Sequence, residues 1–254
     1  MIIIDENMKS LINEFSRINN KGWIKSKYKS YGNVGLTFES EINKKVDSMF
    51  FPDYKDIEIK CSTRFSRYPL HLFNTAFDGP TFPEINRIIE KYGYPDKDIN
   101  DKNIFIAKLN CKDLCCVNNN LKFKFEIDKE REILILCVYN KNNELIEKES
   151  FVYLDKLKDH LCLKLNKLAL IKASKKVING DIYYRYYSLE LYKLKSFETF
   201  LNLLERGIVE ISIVARLTKS GDKIGTYSNK SLDFSIKKNF ISLLFDKIHY
   251  LEAG

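Results

Sequence analysis

The sequence predicts a mixed α/β fold built around one hydrophobic core. Segments with the spacing of amphipathic helices alternate along the chain with segments that alternate apolar and polar residues, as strands do. The 254 residues are enough to bury a full core, and 44% of them are hydrophobic and 13% aromatic, which is typical of globular chains. The chain has no repeat and no Pro-rich or Gly/Ser-rich linker. We therefore predict a mixed sheet with flanking helices in a single domain over residues 1–254.

The first part of the chain predicts helices and strands in alternation. Residues 5–18 and 33–46 have the apolar spacing of helices. Residues 57–61 alternate in polarity and predict a strand, and residues 68–73 predict a second one. A short helix is predicted over residues 82–92.

Strands dominate the rest of the chain. Residues 103–153 show repeated strand-like alternation, with a turn signal at 140–143. Residues 196–205 predict a helix that stops at Gly207, since glycine favours the end of a helix. The other predicted elements are a helix at 155–163, strands at 167–171, 182–192, 208–217 and 232–236, a polar loop at 218–231 and a final helix at 239–250.

The chain carries an excess of positive charge. It has 42 Lys and Arg against 34 Asp and Glu, a formal net charge of +8, and such an excess favours an anionic partner such as nucleic acid. No apolar run reaches the roughly 20 residues that cross a bilayer. The N-terminus has no basic leader followed by a long apolar segment. We therefore expect a cytoplasmic protein that does not bind a membrane.

The six cysteines allow two interpretations. In a chain of this length without an export signal, cysteines are expected to be reduced thiols. Cys111, Cys115 and Cys116 are spaced closely enough to suggest zinc ligands. No second pair of closely spaced cysteines and no nearby pair of histidines accompanies them, which disfavours zinc.

Residues 52–60, Pro-Asp-Tyr-Lys-Asp-Ile-Glu-Ile-Lys, bring two carboxylates and a lysine close together. Successive side chains of a strand point to opposite faces, so Glu58 and Lys60 share one face. Asp53 lies in the turn before the strand, where it can reach Glu58. Two carboxylates suit a hard cation such as Mg²⁺, and the ammonium group can activate a water or neutralise charge on a phosphate. A turn followed by an amphipathic strand without chemistry is the alternative interpretation.

A third carboxylate precedes this stretch on the predicted second helix. Gly35, Glu39, Ile42 and Val46 follow one another at spacings of four, three and four, so Glu39 projects from a face that is otherwise apolar or small. A carboxylate there lies at an exposed rim or is held by a partner, because cores seldom bury an unpaired one.

This order of residues resembles the MvaI/BcnI restriction endonucleases and their mismatch-repair relative MutH, a branch of the PD-(D/E)xK nucleases. The signature is residues 33–39 on a helix, then Phe51-Pro52-Asp53, then residues 57–60 on a strand. The resemblance covers most of the chain except about residues 95–160. Its later segments are 184–191, 197–201, 207–211, Arg216 and 232–236.

The chain departs from the family pattern in two segments that contact bases in the relatives. Residues 227–231, Tyr-Ser-Asn-Lys-Ser, stand where several members have His-Asp-His/Arg-Gly. Val214 stands where relatives have an acid two residues before the late arginine. The resemblance therefore carries over no recognition sequence. All four catalytic positions of the family, Glu39, Asp53, Glu58 and Lys60, match. The resemblance therefore implies that these four residues are catalytic.

The resemblance implies a PD-(D/E)xK restriction-endonuclease-like fold with two lobes around a DNA cleft. The catalytic lobe would span about residues 1–110 with parts of the C-terminal half, and the recognition lobe about residues 165–254. The implied function is that of a type II restriction endonuclease, a site-specific deoxyribonuclease that hydrolyses phosphodiesters of double-stranded DNA. The alternatives are a MutH-like nicking enzyme of DNA repair and a catalytically silent DNA-binding module.

The resemblance also implies a cofactor and partners. Asp53 and Glu58 would bind Mg²⁺, with Mn²⁺ as a substitute, and Lys60 would orient or deprotonate the attacking water. Glu39 would complete the outer shell of the metal or hold a second ion. The enzyme would act as a monomer in a prokaryotic cytoplasm, with a cognate DNA methyltransferase as its genetic rather than physical partner.

Several further residues are candidate DNA contacts. Lysines of the basic loop at 21–29 can follow phosphates, although a solvated loop is an equal alternative. Arginines just after the Lys60 strand can contact phosphates near the cut, and residues around the late loop can enter a groove. His71 fits a packed or surface histidine better than a base reader. The candidates are Lys25, Lys27, Lys29, Arg64, Arg67, His71, Arg185, Arg216, Lys219, Lys223, Asn229 and Lys230.

Overall fold

A computed structural model describes residues 4–28, 33–44, 51–63, 68–117 and 121–252. Within these ranges the mixed α/β class is confirmed, and no helix there is long and apolar enough to cross a membrane. The helices are α1 (Glu6–Asn20), α2 (Asn33–Glu41), α3 (Glu84–Tyr92), α4 (Leu154–Leu165), α5 (Phe197–Glu205) and α6 (Ile241–Leu244). The strands are β1 (Ile24–Lys25), β2 (Ile57–Thr63), β3 (Leu70–Thr75), β4 (Tyr94–Pro95), β5 (Asn103–Leu109), β6 (Cys115–Val117), β7 (Leu121–Asp128), β8 (Ile133–Tyr139), β9 (Leu145–Tyr153), β10 (Lys167–Ile178), β11 (Asp181–Leu194), β12 (Val209–Leu217), β13 (Tyr227–Ile236) and β14 (Phe245–Glu252).

The chain divides into two compact units. The first contains Met1–Tyr68, His160–Ser196 and Ser242–Gly254, and the second contains Pro69–Asp159 and Phe197–Ile241. The lobes predicted from the sequence divide the chain at other residues. The assignment of one lobe to catalysis and the other to recognition stays a prediction.

The first unit is built on a five-stranded sheet around the long strand β11. Its order is β1-β11-β10-β2, and β14 also pairs with β11. β2 runs parallel to β10, with Glu58 opposite Leu168 and Lys60 opposite Leu170. Parallel neighbours need a long crossover, so the strand that carries the candidate catalytic residues depends on a partner far away in sequence.

Helix α1 shares a hydrophobic core with one face of β2. Asp5 caps the helix by accepting a 3.0 Å hydrogen bond from the backbone N–H three residues later. The stripe that α1 buries consists of Met8, Leu11, Phe15 and Ile18. Ile57 and Ile59 belong to the same core cluster, so the alternate side chains of β2 point to the opposite face of the sheet.

The second unit contains two antiparallel sheets. Their strand orders are β3-β13-β12-β5-β4 and β6-β7-β8-β9. Aromatic side chains fill the core beside the first of these sheets: Phe73 stacks on Phe234 with ring centroids 4.8 Å apart, and Phe200 packs against both. Such aromatic contacts add to the stabilisation from burial alone.

The structure corrects several predicted elements. Helix α2 ends at Glu41, short of the predicted end at Val46, which itself lies outside the described residues. β13 begins at Tyr227, so the end of the predicted loop at 218–231 is strand. The predicted final helix at 239–250 is wrong, because only the short 3₁₀ helix Lys238–Phe240 and α6 are helical there and the strand β14 follows them. β14 pairs antiparallel with β11, and this partner outweighs the local helical spacing.

Candidate active site

A tight turn places Asp53 beside β2. Tyr54 and Ile57 exchange backbone hydrogen bonds of 3.0 and 2.8 Å across the turn. The Oδ2 atom of Asp53 accepts a 3.0 Å hydrogen bond from the backbone N–H of Ile59. This hydrogen bond holds the carboxylate alongside the strand that carries Glu58, as the sequence predicts.

Glu58 is a buried carboxylate whose two oxygens differ in their hydrogen bonding. Its side chain is 3% exposed, and its Oε1 atom accepts a 2.6 Å hydrogen bond from Lys60 Nζ. Within the described ranges its Oε2 atom, also buried, has no hydrogen-bond partner. Burial raises the pKa of Glu58 above its ordinary value, against the opposing charge of Lys60 and with the help of the negative charge of Asp53. A buried acceptor without a donor is costly, so this carboxylate is suited to a cation.

Glu39 faces the same end of the first unit from α2. Its side chain is half-buried, and a Cβ added at Gly35 would lie 3.5 Å from its Oε1 atom, which confirms that the two residues share a helix face. Burial raises the pKa of the Cys61 thiol well above its ordinary value, and the charges of Glu39 and Asp53 raise it further. The negative charges of both acids therefore act on the same residue of β2.

Two lysines that the sequence analysis missed complete this cluster. Lys44 Nζ donates to Asp53 Oδ1 at 2.5 Å, with the two side chains 14% and 16% exposed. Lys164 Nζ, on α4, lies 3.7 Å from Glu58 Oε1. Lys44 follows Glu39 closely in sequence, but its reach to Asp53 depends on where α2 ends. Lys164 carried no local signal, since its contact with Glu58 is made by tertiary packing.

The site fits a divalent ion held by two carboxylates. Mg²⁺ binds through one or two carboxylates and completes its shell with waters and phosphate oxygens, and Asp53 and Glu58 supply two. Among the residues that the structure describes, no group of three or more His, Cys, Asp or Glu side chains is placed to hold a metal ion. The assignment of Asp53, Glu58 and Glu39 to a metal ion stays a prediction.

Of the candidate DNA contacts in the first unit, the structure describes Lys25, Lys27 and Arg185. Lys25 and Lys27 are exposed, and Lys25 Nζ pairs with Asp181 at 2.5 Å. Arg185 is half-buried on β11. Three candidates lie outside the described residues: Lys29, Arg64 and Arg67.

In the second unit, the candidates on β12 and β13 are neighbours. Arg216 is exposed and lies directly opposite Asn229 across the two strands. Lys230 Nζ donates to Asn86 Oδ1 at 2.7 Å and lies 4.2 Å from the ring centroid of Tyr227. The pairing of β12 with β13 brings Arg216 and Asn229 together, whereas the sequence analysis placed Asn229 and Lys230 in a loop.

The remaining candidate DNA contacts of the second unit are Lys219, Lys223 and His71. Lys219 pairs with the buried Asp96 and lies 3.2 Å from Asp98, so its charge is offset within the unit. Lys223 is exposed on the loop between β12 and β13. His71 is exposed on β3 while its neighbours in sequence are buried, as the predicted alternation requires.

Comparisons with known proteins show the family of the chain. The sequence model of the MvaI/BcnI restriction endonuclease family matches residues 12–245. The chain belongs to this family. It is therefore a site-specific deoxyribonuclease, and enzymes of this family generally use divalent metal ions. A comparison with curated protein sequences finds no significant match.

Two solved structures of the restriction endonuclease MvaI are similar to the chain. In a complex with cognate DNA substrate, MvaI is 26% identical and superposes with a TM-score of 0.86, covering 97% of this chain and 99% of that chain. In the absence of DNA, MvaI is 24% identical, with a TM-score of 0.61 and coverages of 99% and 100%. The first similarity confirms the predicted restriction-endonuclease-like fold.

Proposed function

We propose that the chain is a type II restriction endonuclease that cuts double-stranded DNA at a short specific sequence with Mg²⁺, for which Mn²⁺ substitutes. The observation that carries this proposal is the buried Glu58 carboxylate. One of its oxygens binds Lys60, the other has no partner within the described ranges, and Asp53 is held beside it. The cognate DNA complex of the similar enzyme MvaI supports duplex DNA as the substrate.

The residues of the first unit divide the chemistry among them. Asp53 and Glu58 would hold the divalent ion, which would supply positive charge against the phosphate in the transition state. Lys60 orients or deprotonates the attacking water from its place beside Glu58. Glu39 acts through water or with a second ion. We assign catalysis to the first unit, and sequence recognition to the second through residues such as Arg216, which can bind guanine bidentately.

The test of this site is a pair of substitutions, Asp53→Ala and Lys60→Ala. We expect wild type to convert a mixed-sequence plasmid into discrete bands in Mg²⁺. Each substitution should slow cleavage on the order of 10²–10⁴-fold while metal-independent binding to duplex DNA survives. The control is Lys9→Met, which removes one charge from an exposed ion pair with Glu6. If both site variants cut like wild type, the site is wrong, and a smear in place of bands contradicts site-specific cleavage.

We also propose that the enzyme acts as a monomer. A monomer has one catalytic site, formed by Glu39, Asp53, Glu58 and Lys60, so it must cut the two strands one after the other. Nicked circles should then appear before linear product, at a rate linear in enzyme concentration. Sedimentation as a two-to-one complex on target DNA, with a second-order dependence of rate, would contradict this.

The proposed function also implies a second enzyme that protects the DNA of the host cell. A restriction enzyme in a prokaryotic cytoplasm would cut the DNA of its own cell unless that DNA were modified. We therefore propose a cognate DNA methyltransferase as a genetic rather than physical partner. Methylation of the recognition sequence should block cleavage of an otherwise identical plasmid.

A further inference from the structure

The end of helix α2 fixes the position of Lys44. Asn43 adopts a left-handed conformation, with φ of 58°. The backbone N–H of Lys44 donates to the carbonyl of Glu39 at 2.9 Å, and that of Asn43 donates to the carbonyl of Ser40 at 3.3 Å. These two bonds form a Schellman cap, in which a left-handed residue ends the helix. The backbone of Lys44 is therefore tied to the helical turn that carries Glu39.

Each of the two proposed metal ligands is paired with a lysine. Lys44 Nζ lies 2.5 Å from Asp53 Oδ1, and Lys60 Nζ lies 2.6 Å from Glu58 Oε1. A lysine ammonium is a compact point charge with three donors, so it can neutralise an oxygen that a metal ion would otherwise bind. Lys60 already has a role in the proposed reaction, whereas Lys44 has none.

We infer that Lys44 is an internal cation that competes with the divalent ion for Asp53. It neutralises Asp53 while no metal is bound and must release the Oδ1 atom when the metal arrives. The inference rests on the proposed function, in which Asp53 is a metal ligand. Two carboxylates that share a site repel each other, and they also repel the phosphates of DNA. A lysine on Asp53 reduces both repulsions, so the enzyme can engage DNA before the metal is in place.

The contacts of Lys164 show why the competition is assigned to Lys44. Lys164 Nζ is 3.7 Å from Glu58 Oε1, the same oxygen that Lys60 binds. The other oxygen of Glu58 therefore stays available whether or not Lys164 is present. Lys164→Met thus removes one positive charge from the same site without freeing a ligand atom, which makes it the matched control for Lys44→Met.

The test measures metal binding separately from cleavage. Mn²⁺ is titrated into DNA-free protein, and the electron paramagnetic resonance signal of free Mn²⁺ reports how much is bound. We expect Lys44→Met to lower the dissociation constant by about tenfold, since an ion pair shielded from solvent no longer has to be broken. Lys44→Arg keeps the charge and should stay near wild type, and Lys164→Met should produce a much smaller decrease. If Lys44→Met does not fold, Lys44→Gln serves in its place.

The outcomes separate this inference from the proposed function. A dissociation constant for Lys44→Met equal to or above that of wild type overturns the competition, as does an equal decrease in Lys164→Met. If Asp53→Ala binds Mn²⁺ as tightly as wild type, Asp53 is not a ligand and the proposed site itself fails. In cleavage assays, Lys44→Met should need less Mg²⁺ than wild type for half-maximal rate.

Discussion

Each unit of the chain buries glutamates beside positively charged side chains, and the two clusters differ in how completely their oxygens are paired. In the second unit, Glu147 accepts hydrogen bonds from Arg87 at 2.7 Å, from Tyr92 at 2.5 Å and from Lys91. In the first unit, Glu58 pairs through one oxygen only, and the other has no hydrogen-bond partner in the part of the chain that the structure describes.

The pKa values of the two carboxyl groups move in opposite directions. Burial raises the pKa of a carboxyl group. At Glu147 the hydrogen bonds from Arg87, Lys91 and Tyr92 outweigh burial and lower the pKa to about 2. At Glu58 burial outweighs the charge of Lys60, and the pKa is raised. The Glu147 cluster stabilises its charge within the protein, whereas the Glu58 cluster keeps a charge that a bound cation can stabilise. A perturbed acid of the second kind indicates function.

The largest expected effect comes from the same substitution made in both clusters. We expect Glu58→Gln to slow DNA cleavage by on the order of 10³-fold, the loss typical of removing a group that acts electrostatically in the transition state. Glu147→Gln, the matched control, should keep cleavage within a few-fold of wild type below its unfolding temperature. Initial rates of plasmid cleavage in Mg²⁺ measure both. Equal losses in the two variants would show that the two clusters do not differ in function.

The next effect is on stability and belongs to the second cluster. Arg87 donates to Glu84 at 2.7 Å, to Glu147 at 2.7 Å and to Ser150 at 2.9 Å. Arg87→Met leaves two buried carboxylates without their shared partner, so we expect a loss of about 3–5 kcal/mol of unfolding free energy. The unfolding temperature should fall on the order of 10 °C, measured by circular dichroism. Lys9→Met in an exposed pair should leave it unchanged, and a similar result for both variants would contradict this assignment.

The sequence was sufficient for the parts of the site that depend on local spacing. The alternation of residues 57–60 predicts that Glu58 and Lys60 share a face, because strand geometry repeats every two residues. The spacing between Gly35 and Glu39 predicts their common helix face in the same way. The turn that carries Asp53 was predicted from its position just before the strand.

The parts that the sequence missed depend on long-range contacts or on a single backbone conformation. The predicted helix ran on to Val46 and so missed the left-handed conformation of Asn43. That conformation positions Lys44. The contact of Lys164 with Glu58 arises only when α4 and β2 pack. The apolar residues of β14 have a spacing that also suits a helix, and pairing with β11 decides between the two.

The smallest expected effect is on stability at Glu58, and its sign is opposite to that at Glu147. Because the folded pKa of Glu58 is raised, the folded protein binds more protons than the unfolded chain between the two pKa values, so stability falls as the pH rises through that window. Above that window the ionised carboxylate is therefore a net cost to the stability of the fold. Without metal, we expect the unfolding free energy of Glu58→Gln to be about 1 kcal/mol above that of wild type. Its unfolding temperature should be roughly 3 °C higher.

Glu147 provides the matched control for this stability effect. Its folded pKa of about 2 lies below the unfolded value, so its stabilisation is present above the unfolded value and is lost as the pH falls towards about 2. Glu147→Gln should therefore be less stable than wild type at neutral pH, and this difference should vanish on acidification. Unfolding of the three proteins by urea over a pH series, without metal, measures both trends. A Glu58→Gln variant less stable than wild type at neutral pH would mean that Lys60 and Lys164 already compensate the charge of Glu58, and that the two clusters are alike.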